Sequence, residues 1–298
     1  FNIKPSYRFH NVTSTLQMFP EASTGSDPPN GASINYWLKE KQEEIEIIIT
    51  NSSNDTIKTI KKEGKKGINR IWWDFLGEST DEIILRTKPL YAEWVSLDKN
   101  RERKLPFTLS IMSPPGTYNI HLKLGENVMT KKLKVIKDPY SEGNMEDIML
   151  QNDLIKKIYD DLNLTANYVN SIEIARRQLL DLKSMLSNTK QKEELIAIVD
   201  SLESEFLNVE KQLIQMKETG TGQDDVRFEK MIGEKLAYLG GNVPNADFRP
   251  SDSYYEVYEL LNKRLKNVGE EFEKLKNEKL KDVINTLNKE GVNIILMN

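Results

Sequence analysis

Few residues in this chain are of a type and spacing that does chemistry. Carboxylates are the most numerous, 46 among 298 residues, and glycoside hydrolysis needs a pair of them flanking the scissile bond. Adjacent acids occur at Glu43-Glu44, Asp160-Asp161 and Glu270-Glu271. The last two pairs fall on helical patterns and the first precedes a strand pattern, so a solvated surface is the competing reading for each. The two histidines, His10 and His121, lie in different segments, whereas zinc needs three or four clustered ligands. Both read as ordinary surface or core residues, and no metal site is assigned. The absence of cysteine excludes disulfides, thiolate metal sites and a cysteine nucleophile. No G-x-S-x-G, G-x-G-x-x-G or Walker loop is present. Gly220-Thr221-Gly222 joins two helical patterns, not a strand and a helix, so it reads as a break and not a phosphate cradle. No catalytic residue and no cofactor follows from these residues.

Aromatic residues offer a different kind of chemistry. Four tryptophans could stack on sugars or pack against protein. Trp72 and Trp73 are adjacent in a strand pattern and must point to opposite faces. One is therefore core, and the other is exposed or covered by a neighbouring domain. Tyr91 and Trp94 sit in a long irregular segment, Glu78 to Arg103, of a length that usually packs against something or carries function. Trp72, Trp73, Tyr91 and Trp94 are thus the candidate domain-interface residues. A sugar-binding shelf would instead need exposed indoles around Trp72, Trp73 or Trp94.

These residues are positioned by two halves of different period. Up to about Pro139 the sequence reads as short strands: Ala32 to Lys39, Ile45 to Asn51, Ile57 to Lys61, Gly67 to Phe75, Thr117 to Leu124 and Val128 to Ile136. Tyr118, Ile120, Leu122 and Leu124 share one face at period two, and Gly125-Glu126-Asn127 is a hairpin turn. Short strands punctuated by Pro, Gly, Asn and Asp predict an antiparallel immunoglobulin- or fibronectin-like β-sandwich.

Beyond Pro139 the period becomes helical. Asn144 is the expected N-cap of a helix of about forty residues, with Ile148, Ile155, Ile158, Leu162, Val169, Ile172, Ala175, Leu179, Leu182 and Leu186 on its apolar stripe. A second helix carries Leu195, Val199, Leu202, Phe206, Val209, Leu213 and Met216, with Glu203, Glu205, Glu210 and Lys211 on its polar face. A short helix with Phe228, Ile232, Leu236 and Leu239 inward is expected to end in a left-handed cap at Gly240-Gly241, followed by a connector held extended by Pro244 and Pro250. Ser253 and Glu256 predict a capping box for the last helix. Its stripe of Val257, Leu261, Leu265, Val268, Phe272 and Leu275 resumes one step out of phase at Leu280, Val283 and Leu287, and Gly291 stops it. Such helices must bury their stripes against each other, which predicts an antiparallel long-helix bundle. The expected organisation is a linker over 1–31, a sandwich over 32–138 with an insertion at 78–105, a bundle over 144–290 and a tail over 291–298.

The net charge of −4 provides no basic stripe, so nucleic acid is not an expected partner. No apolar run approaches the ~20 residues a membrane span requires. A start at Phe1-Asn2-Ile3-Lys4 reads as a cut within a longer chain, which would place any export signal upstream.

Several segments taken together resemble the C-terminal region of bacterial sortilin-like β-propeller proteins, the BNR or Asp-box-repeat "glycosyl hydrolase" proteins common in Bacteroidetes-type bacteria. Pro5-Ser6-Tyr7-Arg8-Phe9 is similar to the segment leaving the propeller. Asp27-Pro28-Pro29-Asn30-Gly31-Ala32 and Ile34-Asn35-Tyr36-Trp37-Leu38-Lys39 are similar to the entry into the sandwich. Gly67-Ile68-Asn69-Arg70 with Trp73-Asp74 resembles a G-x-N-R-x-x-W-D strand, Leu85 to Ala92 the long insertion, Pro114-Pro115-Gly116-Thr117-Tyr118 the last hairpin, and Lys137-Asp138-Pro139 the junction to the helices. The resemblance implies an upstream β-propeller in the same protein and export to the periplasm, cell surface or medium. It implies no catalytic residue in this region. Three functions are then expected in turn: a non-catalytic interaction module docked on the propeller through Asn11 to Asn30 and the insertion, with the helices presented to other surface or periplasmic proteins; a part of a glycan hydrolase lending residues to a propeller-centred site; and a carbohydrate-binding sandwich.

Overall fold

A computed structural model describes residues 1–10, 29–90, 103–104, 107–186, 192–217 and 224–292. As expected, a mostly antiparallel β region precedes a helical one. The chain forms two compact units, one of residues 1–79, 110–156 and 242–251, the other of 80–109, 157–241 and 252–298. The insertion therefore belongs with the helices, and the connector around Pro244 belongs with the strands.

In the first unit, β1 (Ser6–Arg8), β3 (Gln42–Thr50), β4 (Thr56–Gly64), β10 (Gly116–Leu124) and β11 (Asn127–Lys137) form a sheet in the order β1-β11-β10-β3-β4, curled into a half-barrel. The β1 strand runs parallel to β11, so the segment expected as linker contributes a strand. A two-stranded ribbon of β2 (Ala32–Leu38) and β5 (Gly67–Trp73) shares the core of the larger sheet. Period-two burial explains why: Ala32, Ile34, Tyr36 and Leu38 of β2 point inward with Ile45, Ile47 and Ile49 of β3. Trp73 stands at the centre, edge-on to Phe75 at 5.4 Å and Tyr118 at 5.2 Å, and its indole N–H donates to the Leu76 carbonyl at 2.9 Å. The short strands β6 (Leu76–Ser79) and β9 (Ser110–Met112) pair with each other, as do β7 (Ile84–Leu85) and β8 (Arg103–Lys104).

The helices are α1 (Met145–Leu186), α2 (Lys192–Leu213), α3 (Asp224–Arg227), α4 (Ile232–Asn242), α5 (Asp252–Lys274) and α6 (Leu280–Lys289). The Asn144 cap forms as a reciprocal pair: its Oδ1 accepts the Asp147 N–H at 2.9 Å, and Asp147 accepts the Asn144 N–H at 3.3 Å. The α2 stripe is buried from Leu195 to Met216, and α2 packs on α5 and α6.

Four local expectations change. Gly240-Gly241 does not cap α4; the helix runs through both to Asn242. Gly240 serves close packing instead, because a Cβ there would lie 2.7 Å from the Leu109 side chain. Pro244 sits in a single 3₁₀ turn, Val243–Asn245, not in an extended connector. The last helix starts at Asp252, which places Ser253 inside it, and Val257 is 45% exposed, not core.

The phase slip at the end of the stripe has a structural cause. Leu275–Lys279 is one π-helical turn joining α5 to α6, and a π turn absorbs one extra residue. Leu275 and Leu287 are thereby both buried, and Gly291 ends the helix at φ 79°. Deleting Asn277 should convert this turn to regular α-helix while keeping Leu280, Val283 and Leu287 on the stripe. Stability is expected to stay within about 1 kcal/mol of wild type by denaturant unfolding. A much larger loss would show that the π turn itself is required.

Candidate functional site

The carboxylates that sequence reasoning assigned to the surface divide into two groups. Glu43, Glu44, Glu270 and Glu271 are exposed. Asp161 is buried; it accepts from the Asn262 side chain at 2.8 Å, and burial raises its pKa. Glu210, placed by its pattern on the polar face of α2, is fully buried, as is Glu173 of α1.

Glu173 and Glu210 converge on Arg176, itself 2% exposed. The Arg176 Nη1 donates to Glu173 at 2.9 Å and to Glu210 at 2.6 Å, and its Nε donates to Glu203 at 2.9 Å. The insertion completes the cluster: Glu173 accepts the backbone N–H of Arg86 and of Thr87, and the Thr87 hydroxyl at 2.7 Å. Two further α1 side chains hold the backbone of the same segment, Asn163 accepting the Asp81 N–H and Asn170 the Ile84 N–H, both at 2.8 Å. Burial, reinforced by the neighbouring Glu173 charge, pushes the Glu210 carboxyl well above the usual range. Acid–base chemistry at such a carboxyl would need room for a substrate. The cavity beside Glu173 measures only about 10 Å³, far below the ~300 Å³ of a small-molecule site. The cluster therefore holds the insertion against α1. Its sequence signal was available: Arg176 lies between Ile172 and Leu179, and Glu210 between Phe206 and Leu213, at helical steps on apolar stripes.

A second buried acid belongs to the first unit. The Asp247 side chain has no exposed surface; it accepts from Arg8 Nη1 and, at 2.9 Å, from His10 Nε2. Burial alone would raise its pKa, but the His10 hydrogen bond and the Arg8 charge outweigh that and hold it at about 2. The Gln151 amide donates nearby to the carbonyls of Val243 at 3.0 Å, Ala246 at 2.6 Å and Phe248 at 3.3 Å. His10 is thus part of the contact fixing the 242–251 segment. His121 bridges Thr50 at 3.2 Å and Thr130 at 2.8 Å across the sheet.

The tryptophans separate as adjacent strand residues must. Trp73 is 1% exposed and Trp72 is 38% exposed. Tyr91 and Trp94 lie outside the described residues, as does Gly220-Thr221-Gly222. On the outward face, Trp72 is joined by Trp37, 59% exposed, which the sequence reading did not single out. The ribbon register pairs Ser33 with Trp72, Asn35 with Arg70 and Trp37 with Ile68. Arg70 Nε donates to Asn35 Oδ1 at 2.7 Å, midway between the two indoles.

No family model matches the chain, and comparisons with curated proteins and with solved structures return no match. In the first unit the open aromatic ribbon is the surface suited to recognition, with Trp37, Ile68 and Trp72 exposed on one face.

On the helical unit, a groove between α4 and α5 of about 870 Å³ exposes Tyr238, Val257 and Leu260 beside Phe107 and Arg264. Among the described residues no helix is long and apolar enough to cross a membrane.

Proposed function

We propose that this chain is a non-catalytic accessory and interaction module of an exported bacterial β-propeller protein, acting in the periplasm, at the cell surface or after secretion. In this reading the strand unit is an immunoglobulin- or fibronectin-like sandwich and the helical unit an antiparallel bundle. The module docks on the propeller of the same protein through 11–30 and the insertion, and the helices face other surface or periplasmic proteins. The observation that carries the reading is the ribbon face, on which Trp37, Ile68 and Trp72 stand exposed on a well-packed core. An exposed apolar patch rimmed by polar residues marks a binding surface, whether for protein or for another ligand. The resemblance of the Gly67 to Asp74 strand and of Pro114 to Tyr118 supports the propeller as the neighbour.

Chemical cross-linking and mass spectrometry of the parent protein on intact cells test this. Lys88, Lys99 and Lys104 should cross-link to the upstream domain. Absence of such links from a correctly exported protein would remove the docking reading. The competing hydrolase reading makes the opposite prediction: Glu78→Gln or Asp81→Asn would then abolish glycan hydrolysis by the parent protein without altering its fold.

A further inference from the structure

The geometry points to an extended glycan chain as the ligand of the ribbon face, with one sugar ring stacked on Trp37, another on Trp72, and the hydroxyls between them held by Asn35 and Arg70. This inference rests on the non-catalytic reading of the chain and, for the ribbon face, takes up the expectation of a carbohydrate-binding sandwich, with its ligand class and contacts named.

Three features of the face select that chemistry. The first is spacing. Trp37 lies opposite Ile68 and Trp72 opposite Ser33, so the indoles are four residues apart along the ribbon and on different strands. At ~3.3 Å per residue and ~4.8 Å between strands their Cα atoms are roughly 14 Å apart. A ligand touching both must be long, and each contact must be flat. Pyranose rings joined equatorially form such a chain, presenting apolar C–H faces to aromatic rings at intervals.

The second is the polar pair at the centre. Arg70 is exposed and its Nε is engaged by Asn35, which orients the guanidinium. The Asn35 amide donates to Ser33 Oγ at 3.3 Å. A pre-oriented guanidinium presents several further donors in fixed directions, which suits ring hydroxyls lying between the stacked rings.

The third feature weighs against a protein partner. Protein hot spots cluster at the desolvated centre of an interface, around an anchor in a pocket. Here the centre is polar and the indoles lie at the two ends. A cavity of about 290 Å³, lined by Phe1, Ile3, Tyr36, Trp37, Met129 and Lys131, opens beside Trp37 and does not include Trp72.

Calorimetric titration of the intact chain with soluble hexasaccharides of β-1,4-linked glucose, xylose, mannose and N-acetylglucosamine tests the inference, with tryptophan fluorescence as a second readout. At least one should bind. Trp37→Ala and Trp72→Ala should each weaken binding about tenfold, whereas Trp37→Tyr should retain most of it because a stacking ring remains. Both indoles are exposed, so unchanged circular dichroism and melting should accompany the loss. Failure of all four hexasaccharides to bind at 10 mM would overturn the inference, as would binding indifferent to both alanine variants. If the same variants instead released the upstream domain in the cross-linking experiment, the face would be a protein contact: the glycan inference would fall and the module reading would stand.

Discussion

Arg176→Ala is expected to destabilise the protein by about 3–5 kcal/mol in denaturant unfolding at pH 7. The guanidinium is 2% exposed and contacts Glu173, Glu203 and Glu210. Its removal leaves the buried Glu173 carboxylate without its cationic partner. The insertion should loosen as well, because the Arg86 and Thr87 amides are held by that carboxylate; hydrogen exchange at those two amides would report it.

Glu210→Gln is the discriminating companion. Burial keeps the Glu210 carboxyl protonated beyond the ordinary range, so a neutral amide should substitute within about 1 kcal/mol. The pH dependence follows the same sign. The folded form holds the Glu210 proton to higher pH than the unfolded chain does, so folding takes up a proton and this contribution to stability falls as pH rises above the unfolded value of 4.5. Wild type should therefore lose stability relative to Glu210→Gln as pH rises above 4.5. An Arg176→Ala variant within about 1 kcal/mol of wild type, or a Glu210→Gln variant as damaged as Arg176→Ala, would contradict this account of the cluster.

The second large effect is expected at Asp247. Asp247→Ala leaves Arg8 buried at 2% exposure without its carboxylate, and the cost should again be about 3–5 kcal/mol. Here the linkage has the opposite sign. The carboxyl is depressed from 3.8 to about 2, so its contribution is fully present above the unfolded pKa and is lost as pH falls toward 2. A shift of that size corresponds to about 2 kcal/mol. Stability measured between pH 4.5 and 2 should fall more steeply in wild type than in Asp247→Asn. Parallel acid limbs for the two proteins would show that Asp247 does not carry this charge interaction.

Much of the framework was legible from local pattern. Period-two alternation in Tyr118, Ile120, Leu122 and Leu124 fixed a strand face, because a strand side chain's direction depends only on its own parity. Asn144 announced α1, because a cap is satisfied within one turn. The slip between Leu275 and Leu280 marked the π turn, because five-residue spacing cannot remain on one stripe of a regular α-helix. The opposition of Trp72 and Trp73 was likewise local, although which of them faced the core was not.

The tertiary structure decided what depends on partners far apart in sequence. Arg8 and Asp247 are separated by 239 positions, and no pattern in either segment names the other. Glu210 read as polar surface because its type outweighed its stripe position; only the approach of α1, which brings Arg176 within 2.6 Å, covers it. Trp37 joined the candidate face only when register set it across from Ile68, four residues from the level of Trp72. Sequence by itself determined which faces exist, since each face is made by neighbours along one element. The fold determined which faces meet and which stay open, since burial and charge pairing are properties of surfaces brought together from separate elements.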